Sequence, residues 1–303
     1  MYPTLYQVSD GFGIHTYGLM IMLALLAAFV VSSQRARQVG IDSDELPLMY
    51  LLVAAAGIFV SRLFYFLFSV PEKFFADPTI FFSASEGGLV FYGGPIGGVL
   101  VGAAYCMAKN IPVLKMVDIG APAIMLGLAV GRIGCFFAGC CHGSHAGHDI
   151  TDTLLSLPGG QVVLVDGGPL LALLFHQGVG VGSIHELPLY PTQVWEGTGA
   201  LLLFLALSWI WRKLRFFDGQ ILAVMMIFYA GLRSSIENYR GDSIRGEDVI
   251  AGLSSSQSIS VVMVAIALLF AAGRIIYARA RGEALFEPET PFVHDDSLDE
   301  ELL

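Results

Sequence analysis

Charge is what this sequence lacks most. Asp, Glu, Lys and Arg make up 14% of its 303 residues, where a soluble domain carries about 25%. So few charges cannot clothe a water-facing surface. That excludes an ordinary soluble globule and makes lipid the solvent for most of the chain. Lys and Arg are missing altogether before Arg35. A cleavable secretory signal opens on a basic segment, so the first apolar run is expected to be retained as a helix. No internal repeat is visible, and nothing in the charge pattern suits a nucleic acid.

What is present is apolar. Hydrophobic residues account for 55% of the chain, with 21 Phe, 11 Tyr and 35 Gly, a composition suited to aromatic belts and close helix packing in a bilayer. The net charge of −10 is concentrated at one end. Glu283, Glu287, Glu289, Asp295, Asp296, Asp299, Glu300 and Glu301 crowd residues 282–303, which read as a solvated, disordered acidic tail. Residues 1–281 read as one all-α polytopic membrane domain.

A bilayer span takes roughly 20 mostly apolar residues. Seven segments qualify: Ile14–Ser33, Leu46–Ser69, Gly88–Ala108, Met116–Gly139, Thr192–Trp211, Gln220–Asn238 and Ser258–Tyr277. With the N-terminus outside, the inner loops and tail hold Arg35, Arg37, Lys109, Lys115, Arg212, Lys213, Arg215, Arg274, Arg279 and Arg281. The outer loops hold only Lys73, Arg240 and Arg245. Basic residues favour the cytoplasmic side, so the expected topology is N-terminus out and C-terminus in. One connection, about 140–191, is far longer than the rest. It is rich in Gly and contains His142, His145, His148, His176 and His185. Loops of this length are commonly functional or disordered.

Three arginines fall within or at the ends of spans: Arg62, Arg132 and Arg233. A central Arg costs about 2.5–3.5 kcal/mol to insert, whereas a Leu or Phe returns only about 0.3–0.6. Each can snorkel to an interface, or face Glu196 and Glu237 in the same membrane region. Arg233 and Glu237 are four apart on one helical face, which Arg240 continues. The arrangement reads either as a structural ion pair or as basic groups converging on an anionic lipid headgroup. Arg suits the second task because its planar fork matches a phosphate at two points.

Two further clusters stand out. The third span carries small-xxx-small pairs, Gly93/Gly97, Gly94/Gly98 and Gly98/Gly102, which allow close helix contact. The denser run of Gly87, Gly88, Gly93 and Gly94 suggests a non-helical stretch lining a polar cavity. Cys135, Cys140, Cys141 and His142 gather after the fourth span, and Cys106 stands alone in the third. The cluster admits a disulfide or packing role, metal binding, or a reactive thiol; its spacing matches none of the usual zinc patterns. No metal ligand set and no cofactor is read from the sequence. Trp195, Trp209 and Trp211 read as interfacial anchors.

Six segments in order along the chain resemble the prolipoprotein diacylglyceryl transferases. His15-Thr16-Tyr17-Gly18 resembles the first-helix motif of that family, and Arg62 its second-helix arginine. Gly87-Gly88-Leu89-Val90-Phe91-Tyr92-Gly93-Gly94 resembles its third-helix glycine motif. Gly131-Arg132-Ile133-Gly134-Cys135-Phe136 through Gly143 resembles its signature. Pro191-Thr192-Gln193-Val194-Trp195-Glu196 and Tyr229-Ala230-Gly231-Leu232-Arg233 through Glu237 and Arg240 resemble its fifth and sixth helices.

The resemblance covers about residues 12–280. It implies seven helices in the bacterial cytoplasmic membrane, with the N-terminus outside. It also implies transfer of the diacylglyceryl group of phosphatidylglycerol to the lipobox cysteine thiol of a prolipoprotein. By the same resemblance Arg132, Arg233 and Tyr92 are catalytic. His15, Tyr17, Arg62, Gly93, Gly94, Gly134, Cys135, Gly143, Gln193, Glu196, Tyr229, Glu237 and Arg240 bind substrate. Three positions depart from the family pattern: Tyr92 stands where most members have His, Cys135 where they have Asn, and Cys140 near where they have Glu. A diverged member with another acceptor or a thiol redox role, and a phospholipid-binding or transport protein, are the competing readings.

Overall fold

A computed structural model describes residues 4–9, 12–83, 88, 90, 93–144, 150–157, 160–165, 172–175, 189–240 and 253–281. Its body is helical: α1 (Thr16–Gln38), α2 (Leu46–Phe68), the short α3 (Pro71–Ala76), α4 (Gly93–Ala108), α5 (Val113–Ala138), α6 (Thr192–Lys213), α7 (Gln220–Glu237) and α8 (Ser255–Arg281). Five of these, α1, α2, α5, α6 and α8, are long and apolar enough to cross a membrane. The 23 residues of α1 extend about 34 Å. The other two expected spans are shorter. α4 is an apolar helix of 16 residues, and α7 has 18, among them Arg233 and Glu237.

The helices turn apolar side chains outward. Leu25 and Leu26 on α1, Leu202 and Leu205 on α6, and Val262 and Leu269 on α8 are all exposed. Patches of this kind are unstable in water and stable in hydrocarbon.

Two small antiparallel sheets accompany the all-α membrane body. β1 (Thr4–Ser9) pairs with β2 (Phe12–His15). Ile14 and His15, read as the start of the first span, are therefore strand, and the helix starts at Thr16. Within the long connection, β3 (Ile150–Leu157), β4 (Gly160–Val165) and β5 (Ala172–Phe175) form a three-stranded sheet in the order β3-β4-β5. Both sheets lie outside the long helices. The acidic tail, 282–303, lies outside the described residues.

The chain forms two compact units. One combines residues up to Val30 with Asp118–Pro291, and the other is built on Val31–Val117. In the second, α2 packs against α4. The contact is set by glycine: a Cβ on Gly93 would collide with the Ser61 backbone, and one on Gly97 would lie 2.6 Å from the Ala56 carbonyl. Any side chain there would force the helices apart. The third span begins at Gly93 rather than Gly88. Val90 N–H donates instead to the Ser61 carbonyl at 3.0 Å.

In the first unit α7 packs between α6 and α8. Two helix starts explain themselves chemically. Ser254 and Gln257 form a reciprocal capping box for α8, with Gln257 N–H donating to Ser254 Oγ (3.2 Å) and Ser254 N–H to Gln257 Oε1 (3.1 Å). α7 is capped from a distance. Asp118 on α5 accepts from the N–H groups of Gly219 (2.7 Å) and Leu222 (2.9 Å).

Candidate functional site

The first unit gathers most of the expected site. Arg132, in the last third of α5, places Nη2 2.7 Å from Glu196 Oε1 on α6; Glu196 is wholly buried and Arg132 nearly so. The Tyr229 hydroxyl on α7 donates to the same Glu196 oxygen at 3.2 Å. One turn further along α7, Arg233 Nη2 lies 2.7 Å from Glu237 Oε2 and donates to Ser256 Oγ on α8 at 3.0 Å. Ser254 Oγ donates to the other Glu237 oxygen at 3.3 Å. Tyr229 is within electrostatic reach of Glu196, Arg132 and Arg233 together. Four helices thus contribute to one run of buried polar groups.

Neither arginine is saturated. Arg132 Nε and Arg233 Nη1 are buried without a hydrogen-bond partner among the described residues, as are Glu196 Oε2 and Gln193 Oε1. Buried unpaired N–H groups are costly and rare. On a guanidinium they are donors left available to an oxyanion.

The turn after α5 makes the second part of the site. Gly139 and Cys141 both have positive φ, 74° and 62°, and Cys141 has no glycine freedom to make this cheap. The turn is pinned from the start of α6. Gln193 Nε2 donates to the Cys140 carbonyl (2.9 Å) and Thr192 Oγ1 to the Cys141 carbonyl (2.8 Å). It returns Cys140 and Cys141 to Cys135, so that the three Sγ atoms lie within 4.8 Å of one another. Hydrogen bonds from the thiols of Cys135 and then Cys140, helped by Arg132 and Arg240, hold Cys141 well below the ordinary thiol range. Cys140 is pushed up by hydrogen bonding to the Cys135 and then the Cys141 thiol and by burial.

A cavity of about 480 Å³ adjoins this turn, lined by His15, Tyr17, Gly18, Ala138 and Cys140. Gly134 faces α1 beside it, where a Cβ would meet the Met20 Cβ at 2.9 Å and the Tyr17 ring at 3.4 Å. Gly143 ties three helix ends together. Its N–H donates to the Tyr190 carbonyl (2.8 Å), and Ser144 N–H to that of Tyr239 (2.8 Å). Gly143 also bridges Arg240. Tyr190, Trp195 and Tyr239 pack their rings 5.3–5.8 Å apart over this junction.

The expected residues thus divide. Arg132, Glu196, Tyr229, Arg233 and Glu237 form one chain of contacts. Cys135 and Gln193 belong to the pinned turn, His15 and Tyr17 to the cavity, and Gly143 and Arg240 to the junction. Arg62, Gly93 and Gly94 belong to the other unit. There Arg62 donates through Nε and Nη2 to the carbonyls of Phe81 and Ser83, and its guanidinium lies 5.4 Å from the Phe66 ring centre. Tyr92 and His145 lie outside the described residues. Ser254 and Ser256 join the site although no motif points to them; the Ser254-x-x-Gln257 capping signature is the available signal.

The fold and these buried charges define a class, the multi-pass helical membrane proteins that carry a polar site among their helices. Within it the assignment is direct. The family model for prolipoprotein diacylglyceryl transferase matches residues 3–272, and the chain belongs to that family of transferases. It is 32% identical to a phosphatidylglycerol–prolipoprotein diacylglyceryl transferase of Clostridium tetani over 268 residues, 88% of this chain and 96% of the relative. It is 31% identical to phosphatidylglycerol–prolipoprotein diacylglyceryl transferase 2 of Clostridium perfringens over 275 residues, 90% and 96% of the two chains. With the corresponding transferase of Bacillus cereus strain B4264 the figures are 28% over 273 residues, 90% and 91%.

Proposed function

We propose that this chain transfers the diacylglyceryl group of phosphatidylglycerol to the lipobox cysteine of a prolipoprotein at the bacterial cytoplasmic membrane. In this reading it crosses the membrane seven times, α4 and α7 included, with the N-terminus outside. The observation that carries the proposal is the pair of buried arginines, Arg132 and Arg233. Each is held by a glutamate, and each keeps one buried guanidinium nitrogen, Arg132 Nε and Arg233 Nη1, without a partner among the described residues. That is what binding and discharging a phosphate requires.

In the reaction the acceptor thiolate attacks the glycerol carbon that bears the phosphate. A C–S bond forms as the C–O bond breaks, and glycerol phosphate leaves with the electron pair. The thiol proton ends on the departing phosphate or on water. Arg132 and Arg233 neutralise charge growing on the phosphate oxygens, a form of stabilisation in which each well-placed donor is worth about 10²–10³ in rate. Glu196 and Glu237 fix the two guanidinium planes, and Tyr229 links the pairs through Glu196. Tyr17 and His15 line the approach to the cysteine turn. Gln193 acts as a positioning residue, and Arg62 and Tyr92 bear on the phospholipid by family resemblance.

The test is incubation of the purified chain with phosphatidylglycerol and a lipobox peptide, followed by mass spectrometry for a diacylglyceryl thioether on the peptide cysteine. Product is expected. Its absence beside an active relative would sink the reading and favour a diverged member with another acceptor, a possibility raised by the cysteines at 135 and 140.

A further inference from the structure

We infer that Cys135, Cys140 and Cys141 form a binding site for one soft divalent metal ion, zinc by preference, held by three thiolates with its fourth position reached from the cavity beside His15 and Tyr17. The three Sγ atoms lie within 4.8 Å of one another. With Zn–S bonds near 2.3 Å, three sulfurs on one ion stand about 3.8–4.0 Å apart, so the widest separation closes by roughly 1 Å at most.

The alternatives fit less well. A disulfide joins two sulfurs and leaves the third idle, whereas here all three converge. Hard ions such as magnesium and calcium want oxygen donors, and thiolates select zinc-like or copper(I)-like ions. The spacing Cys-x4-Cys-Cys is foreign to the common zinc motifs, which is why the sequence alone does not announce the site.

The surroundings are built for it. The turn that delivers Cys140 and Cys141 is pinned by the buried side chains of Gln193 and Thr192, and Cys141 keeps a left-handed backbone that only its neighbours can enforce. A divalent ion with three thiolates carries a net charge of −1. Arg132 precedes Cys135 by three residues on the same face of α5, and Arg240 bridges Gly143 just beyond Cys141, so the cluster sits among cationic side chains. Cys140 is exposed and lines the 480 Å³ cavity, which gives the ion an entry path. Three protein ligands and one open position is the pattern of catalytic rather than structural zinc. Binding releases the thiol protons to solvent. The inference is independent of the transferase reading, because its readout is metal content.

The test uses the full chain in detergent, with thiols fully reduced and the reductant then removed. Equilibrium dialysis against zinc is followed by metal analysis, and a cadmium titration is followed by thiolate-to-metal charge-transfer absorbance. One equivalent per chain is expected for the native protein and for Cys106→Ser, which alters a cysteine outside the cluster. Cys140→Ser and Cys141→Ser should each weaken cadmium binding by at least the roughly 10–100-fold that loss of an outer-shell partner brings, and the double variant should lose the stoichiometric ion. Neither residue is fully buried, so these variants keep the fold, which an unchanged elution profile verifies. A reduced native chain that takes up neither metal stoichiometrically overturns the inference. So does a double variant that binds as well as the native protein.

Discussion

Arg132 on α5 and Glu196 on α6 meet at 2.7 Å with the carboxylate fully shielded from solvent, and Tyr229 of α7 donates to the same oxygen. Breaking such a pair from one side leaves an uncompensated buried charge, at about 3–5 kcal/mol, while replacing both partners by apolar residues is often neutral or better. Glu196→Ala is therefore expected to lower Tm sharply, and Arg132→Met combined with Glu196→Leu to recover most of the loss. Turnover should recover in neither. A double variant that regained activity with stability would reduce the pair to a structural one.

Arg233 separates charge from geometry. Lys at this position keeps the cation and its pairing with Glu237, but loses the planar fork. A charge-assisted hydrogen bond contributes about 1.5–3 kcal/mol, and each 1.4 kcal/mol is tenfold. If Arg233 Nη1, which has no partner among the described residues, binds phosphate, Arg233→Lys should cut kcat/KM about 10–150-fold with Tm nearly unchanged. Equal losses of stability and rate would point to packing instead.

The helices were legible because their signal is bulk apolarity sustained over a bilayer's thickness. The starts at Leu46, Thr192 and Gln220 fall where the apolar runs begin. The sheets were not legible, because their strands are short and sit in Gly-rich sequence. Asp10-Gly11 and Pro158-Gly159 are dipeptides of a kind common in turns, but two such pairs do not outweigh the apolar pattern of the chain. Four-residue spacing made the Arg233–Glu237 pair readable on a single helix. Arg132 with Glu196 could only be suggested, since that contact depends on how α5 meets α6. Cys135, Cys140 and Cys141 were legible as a cluster along the chain, but the convergence of their three Sγ atoms was not, because it depends on the left-handed turn at Cys141.

Gly143 sits where three helix ends converge, and a Cβ there would lie 2.5 Å from the Tyr239 carbonyl and 2.7 Å from the Tyr190 Cβ. Overpacking of this kind costs about 1–3 kcal/mol. Gly143→Ala should lower Tm and loosen the junction, seen as faster hydrogen exchange at Ser144 and Tyr190. A Cβ added to Gly231, on α7, would meet nothing within 4 Å, so Gly231→Ala should instead stabilise by about 0.5–1 kcal/mol.

Glu45, outside the long helices, accepts from the Lys109 ammonium at 2.8 Å and the Tyr105 hydroxyl at 2.5 Å. The hydrogen bond from Lys109, then that from Tyr105, hold its carboxyl below the ordinary glutamate value of 4.5. A lowered folded-state value means that the unfolded chain binds the proton more readily, so the contribution is complete above pH 4.5 and is lost as pH falls through the lowered value. Glu45→Gln should therefore cost a little Tm at neutral pH, and the gap should close in acid. A gap that widened in acid would reverse the sign of the argument.

Asp118 caps α7 from α5, accepting from the N–H groups of Gly219 and Leu222 while wholly buried. Asp118→Ala should cost about 1–3 kcal/mol, the penalty for stranded buried donors, which reaches above the roughly 0.5–2 kcal/mol of an exposed cap. Asp118→Asn should fall between, because its amide offers one acceptor to two donors. The loss should appear first as faster hydrogen exchange in the opening turn of α7. Asp118 lies about 21 Å along α5 from Arg132, so rate per folded molecule should hold. A fall in kcat at full folding would mean that the start of α7 sets the position of Arg233 at its far end.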